Sequence, residues 1–235
     1  MTDARSGELA ANLVEVRSRI ERAAIAAQRD PEDITLIVVT KFFPAADVRR
    51  LADLGVTDVG ENRHQEAAEK AQACADLSVR WHYIGGLQSN KAAAVARYAD
   101  VVQAVDRSKL VAPLERGADT AQRVLDVLLQ VSLDPPGVGF ARSGADPSDL
   151  VELAELVASS PALRLRGLMA VAPLGEDPEA AFVRLENIRR DFLVGQPRAT
   201  WLSAGMSGDV EQAIAHGATH VRVGRAVLGS RPPVQ

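Results

Sequence analysis

Ile34-Thr35-Leu36-Ile37-Val38-Val39-Thr40-Lys41 is a run of aliphatic and β-branched residues closed by a single lysine. A strand buried on both faces reads this way, and such strands belong to parallel sheets covered by helices. A lysine is seldom fully buried without a partner. At the carboxyl end of a core strand, Lys41 stands where parallel sheets and barrels keep their active sites. Desolvation there lowers the ammonium pKa and makes the amine a nucleophile able to form a Schiff base with an aldehyde. The plainer reading of Lys41 is a solvated strand end, and this stretch alone does not separate the two.

Strand-like runs recur at 56–59, 80–84, 100–105, 124–131, 165–171, 200–203 and 220–223, with a helical pattern after most of them. Pro44 opens the first of those helices and Gly55 closes it, Ser89 or Asn90 is the candidate cap of the third, and Asp106 that of the fourth. Alternation without a composition break argues for a parallel sheet wrapped by helices. Eight such units in this length predict a single domain over 1–235, an α/β (β/α)8 TIM barrel spanning 34–229. An open doubly wound sheet is the competing architecture. Before the first strand, Leu9, Leu13, Val16, Ile20, Ala24 and Ala27 form the apolar stripe of an extra helix within 1–30. That helix is expected to plug or cover one end of the barrel.

Composition narrows the function. The chain has 235 residues, 47% hydrophobic and 25% charged, with a net charge of -4. This is an ordinary globular composition and gives no reason to expect nucleic acid or an anionic membrane as partner. No apolar run approaches a membrane span, and the first residues lack a signal-peptide segment, so a cytoplasmic protein is expected. Cys74 is the single cysteine, which excludes an internal disulfide and a thiolate metal cluster. His216 and His220 are four apart, but Gly217 separates them, and no metal pair is expected.

In a barrel, every loop that follows a strand lies on one face. Lys41, Asn62, His82, Tyr83 and Asn90 would converge there. So would Gly205-Met206-Ser207-Gly208-Asp209 and Gly224-Arg225-Ala226, the loops after the seventh and eighth strands. Glycine-rich approaches to helix starts bind phosphate through backbone N–H groups, and barrels place their phosphate site after these two strands. Each loop alone also reads as a tight turn; the two together favour the phosphate. A lysine at one side and a phosphate cradle at the other describe a ligand with an aldehyde and a phosphate. Pyridoxal 5'-phosphate (PLP) is the candidate.

Several stretches resemble one family in order along nearly the whole chain. They are Val38-Val39-Thr40-Lys41, Gly60-Glu61-Asn62, Trp81-His82-Tyr83-Ile84-Gly85-Gly86-Leu87-Gln88-Ser89-Asn90-Lys91, Leu165-Arg166-Gly167-Leu168-Met169, Leu202-Ser203-Ala204-Gly205-Met206-Ser207 and Val221-Arg222-Val223-Gly224. The chain resembles the pyridoxal phosphate homeostasis protein family, which is similar in fold to the N-terminal barrel of alanine racemase. The resemblance implies a Schiff base on Lys41. It implies phosphate contacts from the Gly205-Met206-Ser207 loop and from Gly224 with Arg225. It places Arg222 beside the pyridine nitrogen and Asn62 near the ring. His82 either lines the site or is a buried structural histidine. The implied function is non-catalytic, holding PLP for vitamin B6 homeostasis, with PLP-dependent apo-enzymes as partners and a monomer as the expected state. The alternative is an amino-acid racemase, which needs a second base on the opposite face of the adduct. Three positions depart from the family pattern: Phe43 and Arg142 stand where lysines are common, and Arg225 stands where threonine is common.

Overall fold

The computed structural model describes residues 3–134 and 144–230. Eight parallel strands close into a barrel in chain order. They are β1 (Thr35–Val39), β2 (Asp58–Glu61), β3 (Arg80–Tyr83), β4 (Val101–Val105), β5 (Leu125–Gln130), β6 (Leu163–Met169), β7 (Trp201–Ser203) and β8 (His220–Val223). The first strand pairs with the last, Thr35 against His220 and Val38 against Val223. This closure excludes the open sheet. In β6 the register slips between the pairs Val127–Leu165 and Leu128–Gly167. Gly167 sits in that bulge at φ +154°, with the Trp201 carbonyl 1.9 Å from where a Cβ would be. Only glycine permits this approach of β6 to β7.

The helices between strands are α2 (Ala45–Asp53), α3 (His64–Ala73), α4 (Ser89–Ala96), α5 (Val111–Thr120), α6 (Leu150–Ala158), α7 (Pro178–Gly195) and α8 (Val210–Ala215), with α9 (Arg225–Leu228) after β8. Pro44 and Gly55 bound α2 as expected, Gly55 in the left-handed region at φ +76°. Two expected caps differ. Gln88 precedes α4 and makes no side-chain cap bond, and Leu110 precedes α5 while Asp106 pairs with Arg107. Tyr98 lies in the turn after α4, and Cys74 is the buried residue that ends α3.

The leading helix α1 (Ala4–Ala26) buries Leu9, Leu13, Val16, Ile20, Ala23 and Ala24. It lies in the outer ring, and its Arg17, Ile20 and Glu21 line a cavity at the amino end of the barrel. It packs along α8 and α9 and touches α2. The reason is geometric: α9 is four residues long, too short to fill the place of an eighth outer helix, and α1 fills it. Polar bonds fasten it there. Arg19 donates to the Ser207 carbonyl at 2.7 Å, Asn12 to the Val227 carbonyl at 2.9 Å and Arg5 to the Leu228 carbonyl at 3.0 Å.

Between sheet and helices lies the apolar core, with Val38, Val59, Val102, Leu114, Leu129 and Phe182 fully buried. Inside the sheet the filling is mixed. Val101, Leu128 and Met169 form a small apolar cluster with Val171 and Trp201. Asp58, His82, Gln103, Ser203 and Arg222 add buried polar side chains to this filling.

Candidate cofactor site

At the carboxyl ends of β1, β7 and β8 lies a cavity of about 310 Å³, lined by Lys41, Phe42, Phe43, Met206, Ser207, Gly208, Arg222, Gly224 and Arg225 among others. The barrel closure that pairs β1 with β8 brings Lys41 next to the two glycine-containing loops, although more than 160 residues separate them in sequence. A larger cavity, about 680 Å³, lies at the opposite end of the barrel around Thr35, Asp58 and Arg80 and holds none of these groups.

Lys41 rides on a tight turn. The Phe43 N–H donates to the Thr40 carbonyl at 3.1 Å, and Phe42 takes φ +71°. This matches the second central position of a type II turn, where glycine or asparagine is normal. A phenylalanine there stores roughly 1–3 kcal/mol of strain, which surrounding structure must hold. A buried ionic cluster does so. Glu66 accepts the Phe42 N–H at 2.5 Å and a Lys70 N–H at 2.6 Å. Lys70 also donates to the Thr40 carbonyl at 2.8 Å and to Glu61 at 2.7 Å, and Glu61 accepts the Thr40 hydroxyl at 2.6 Å. Burial pushes the Glu61 carboxyl up in spite of Lys70 and Thr40.

Arg222 enters from β8. Its guanidinium donates to the Ser203 hydroxyl at 2.7 Å and to the Ala170 carbonyl at 2.8 Å. Burial lowers its pKa to about 10, against the pull of Asp209, so it is still a cation at neutral pH. It makes no bond to Glu61, whose Oε1 accepts from Lys70 and Thr40.

The two loops supply donors unequally. The Met206 N–H is already committed to Asp209 Oδ1 at 2.5 Å, so that amide is not a phosphate donor. Gly205, at φ +90°, does not line the cavity; a Cβ would lie 2.7 Å from that of Ala213, so it is a turn and packing glycine. Ser207 and Gly208 line the cavity, and Gly208 has no neighbour within 4 Å of a would-be Cβ. Gly224 also lines it, but its tight contact is with strand β1: a Cβ would meet the Val39 carbonyl at 3.2 Å. Arg225 lines the cavity and is exposed, and the first amides of α9 have no partner within the helix.

Besides Gly205, Asn62 and His82 do not line this cavity. Asn62 abuts the Gly85 backbone, and its side-chain Oδ1 is buried without a hydrogen-bond partner. His82 is fully buried inside the barrel, bonded through Nε2 to Asp58 at 2.7 Å and through Nδ1 to Gln103 at 2.9 Å. It is the buried histidine of the two readings. Asp58, Gln103 and Ser203 were not among the expected site residues. Their signal was present: an acid, an amide and a hydroxyl within strands whose other residues are largely apolar. His216 is held by Glu179 and Glu186, and among the described residues no group of side chains forms a metal site. Arg142 lies outside the described residues.

The donor set fits PLP. It offers one amine for an aldehyde, cationic and amide donors for a phosphate, and a donor-only guanidinium for a ring nitrogen. The fold and this cavity define a barrel of the alanine racemase type, and the family model described as the alanine racemase N-terminal domain matches residues 8–232. An alanine racemase of Clostridium difficile superposes with a TM-score of 0.73 at 15% identity, over 97% of this chain and 58% of that one, a likeness of fold. The chain itself belongs to the pyridoxal phosphate homeostasis protein family. A relative so named from Mycobacterium tuberculosis is 42% identical over 97% of this chain and 94% of its own length. One from Pseudomonas aeruginosa is 43% identical over 95% and 96%. PipY of Synechococcus elongatus, solved with PLP bound, superposes with a TM-score of 0.81 at 35% identity, over 94% of this chain and 100% of that one.

Proposed function

We propose that this chain binds PLP as a Schiff base on Lys41 and holds it, without catalysis, for intracellular vitamin B6 homeostasis. One observation carries the reading: Lys41, Arg222 and the Ser207 and Gly224 loops line a single cavity of about 310 Å³. The PLP-bound PipY structure and the homeostasis relatives support it. When bound, the cofactor supplies an aldehyde to the lysine and an electron-withdrawing ring.

This chain's residues do the rest. The Thr40–Phe43 turn presents the Lys41 amine from one side. Ser207, Gly208 and the start of α9 face the phosphate end, with Arg225 replacing a neutral hydroxyl by a cation. Arg222 donates to the ring nitrogen, and its positive charge opposes protonation there. An unprotonated ring is a weak electron sink, which suits storage. The racemase reading needs a second base. Tyr83 lies in the shell facing a different cleft and Tyr98 packs on His64, so among the described residues no tyrosine lines the cavity. Release to PLP-dependent apo-enzymes in the cytoplasm completes the proposal.

The test is the visible spectrum of purified protein, with borohydride reduction. Lys41→Ala should abolish both the band and the covalent fixing of cofactor. A retained adduct would move the site, with Lys91 the next candidate. Pyridoxal lacking phosphate should bind far more weakly than PLP; equal affinities would remove the phosphate assignment. Racemisation of L-alanine well above the rate of free PLP would replace the carrier with the racemase.

A further inference from the structure

Gln103 sits in the middle of β4 and Ser203 at the end of β7, strands that are not neighbours in the closed barrel. The Ser203 hydroxyl nevertheless donates to Gln103 Oε1 at 2.7 Å, so this bond crosses the barrel interior. It is one link of a column. Arg222 donates to Ser203 Oγ at 2.7 Å, Gln103 meets His82 Nδ1 at 2.9 Å, and His82 Nε2 meets Asp58 Oδ1 at 2.7 Å. All five residues are buried.

The two ends of the column fix its direction. A guanidinium only donates and a carboxylate only accepts. Ser203 therefore accepts a hydrogen bond from Arg222 and donates its own hydroxyl hydrogen to Gln103. The face of Gln103 toward Ser203 must be the carbonyl oxygen, which turns the amide NH2 toward His82. Nδ1 of His82 must then accept, so the ring proton is on Nε2, which donates to Asp58. Asp58 accepts as a carboxylate. Burial alone would raise its pKa, but His82, Thr57 and Arg80 together hold it below the ordinary carboxylate value. Arg80 anchors it with a 2.8 Å ion pair at the far end of the barrel.

Reversal of any link would propagate. Were His82 protonated on Nδ1, Gln103 would turn over and give its NH2 to Ser203. Ser203 would then face two donors, and its hydrogen would have to leave the column toward another acceptor.

We propose that Asp58, His82 and Gln103 are positioning residues of the cofactor site: their one-way column holds the Ser203 hydroxyl as an acceptor for Arg222 and so keeps a guanidinium donor aimed at the ring nitrogen. This rests on the placement of Arg222 at that nitrogen. None of the three lines the cavity, so they act through Ser203 and Arg222 alone.

The first measurement needs no cofactor. Nitrogen NMR of histidine-labelled protein should show His82 as the neutral Nε2–H tautomer, both free and loaded with PLP. An Nδ1–H tautomer or an imidazolium would overturn the column. The second compares Gln103→Met, which removes the acceptor at similar volume, with Gln103→Glu, which keeps it. Gln103→Met should weaken PLP binding by roughly tenfold, the scale of one hydrogen bond to a charged group, and shift the visible band. Gln103→Glu should recover most of that affinity and convert His82 to the imidazolium, since a carboxylate would now face both ring nitrogens. If wild-type protein fixes no cofactor on borohydride reduction, the reading of Lys41 fails. If it does, but Gln103→Met binds PLP with unchanged affinity and spectrum, the column alone fails. Should Gln103→Met not fold, the NMR result and Gln103→Glu decide.

Discussion

Val38, Val59, Val102 and Leu129 leave the outer face of the sheet and meet the helices. Asp58, His82, Gln103, Ser203 and Arg222 leave its inner face and meet one another. The two sets are buried almost equally. They differ in what burial does for them. On the outside each side chain is removed from water into a non-directional contact, and its neighbours are interchangeable in kind. On the inside each group would be costly to bury alone, and it is tolerable because one partner stands at one distance and angle. The outer shell therefore supplies stability and the inner column supplies orientation.

Four substitutions or titrations test that division, beginning with the sheet that separates the two regions. Gly167→Ala puts a methyl group on the Trp201 carbonyl, where 1.9 Å is available. The β6–β7 pairing cannot survive it, and the expected result is loss of a cooperative unfolding transition. A variant that melts like the wild type would show the bulge to be adaptable. Phe182→Ala empties the largest fully buried position among the described residues, and about 3–5 kcal/mol of unfolding free energy should be lost. The His82 tautomer should be unchanged by it; a change would couple the shell to the column. Asp58→Ala leaves the His82 Nε2–H and Arg80 without their acceptor. Its cost in urea unfolding should be about 1–3 kcal/mol, below that of Phe182→Ala. A larger loss would make the column a main source of stability.

The smallest effect lies on the outer surface. Burial disfavours the His216 imidazolium, but Glu186 and Glu179 outweigh it and raise its pKa above 6.5. A raised folded pKa means that this contribution is complete below the unfolded value and fades as pH rises through the folded one. Both carboxylates are more than half exposed, 56% and 58%, so the amplitude should stay under about 1 kcal/mol. Changing both to glutamine should flatten the decline in stability above pH 6.5; an unaltered slope would assign it to another group.

Much of the barrel was legible because strands buried on two faces are apolar runs, and Lys41 stands out against one. The glycine-bearing loops were legible for the same reason of contrast. Which loop amides were free was not. Asp209 takes the Met206 amide across three residues, a choice made by the local turn rather than by composition. The column was harder still. Ser203 and Gln103 are 100 residues apart, and only the closed sheet makes them neighbours. The placement of α1 had a similar obstacle. Its apolar stripe announced a surface to cover, but the vacancy it fills exists because α9 is short.

That vacancy has a consequence in time. A ribosome delivers α1 and β1 first, and their partners α8, β8 and α9 last. Arg5 must wait for Leu228, 223 residues downstream, before its bond can form. Contacts so distant in sequence are slow to close and leave apolar surface open meanwhile. The seam where the two ends of the chain join is also the wall of the cofactor cavity. A nascent chain lacking β8 would have a lysine but no Arg222 opposite it, so cofactor capture should come at the final stage of folding and report its completion.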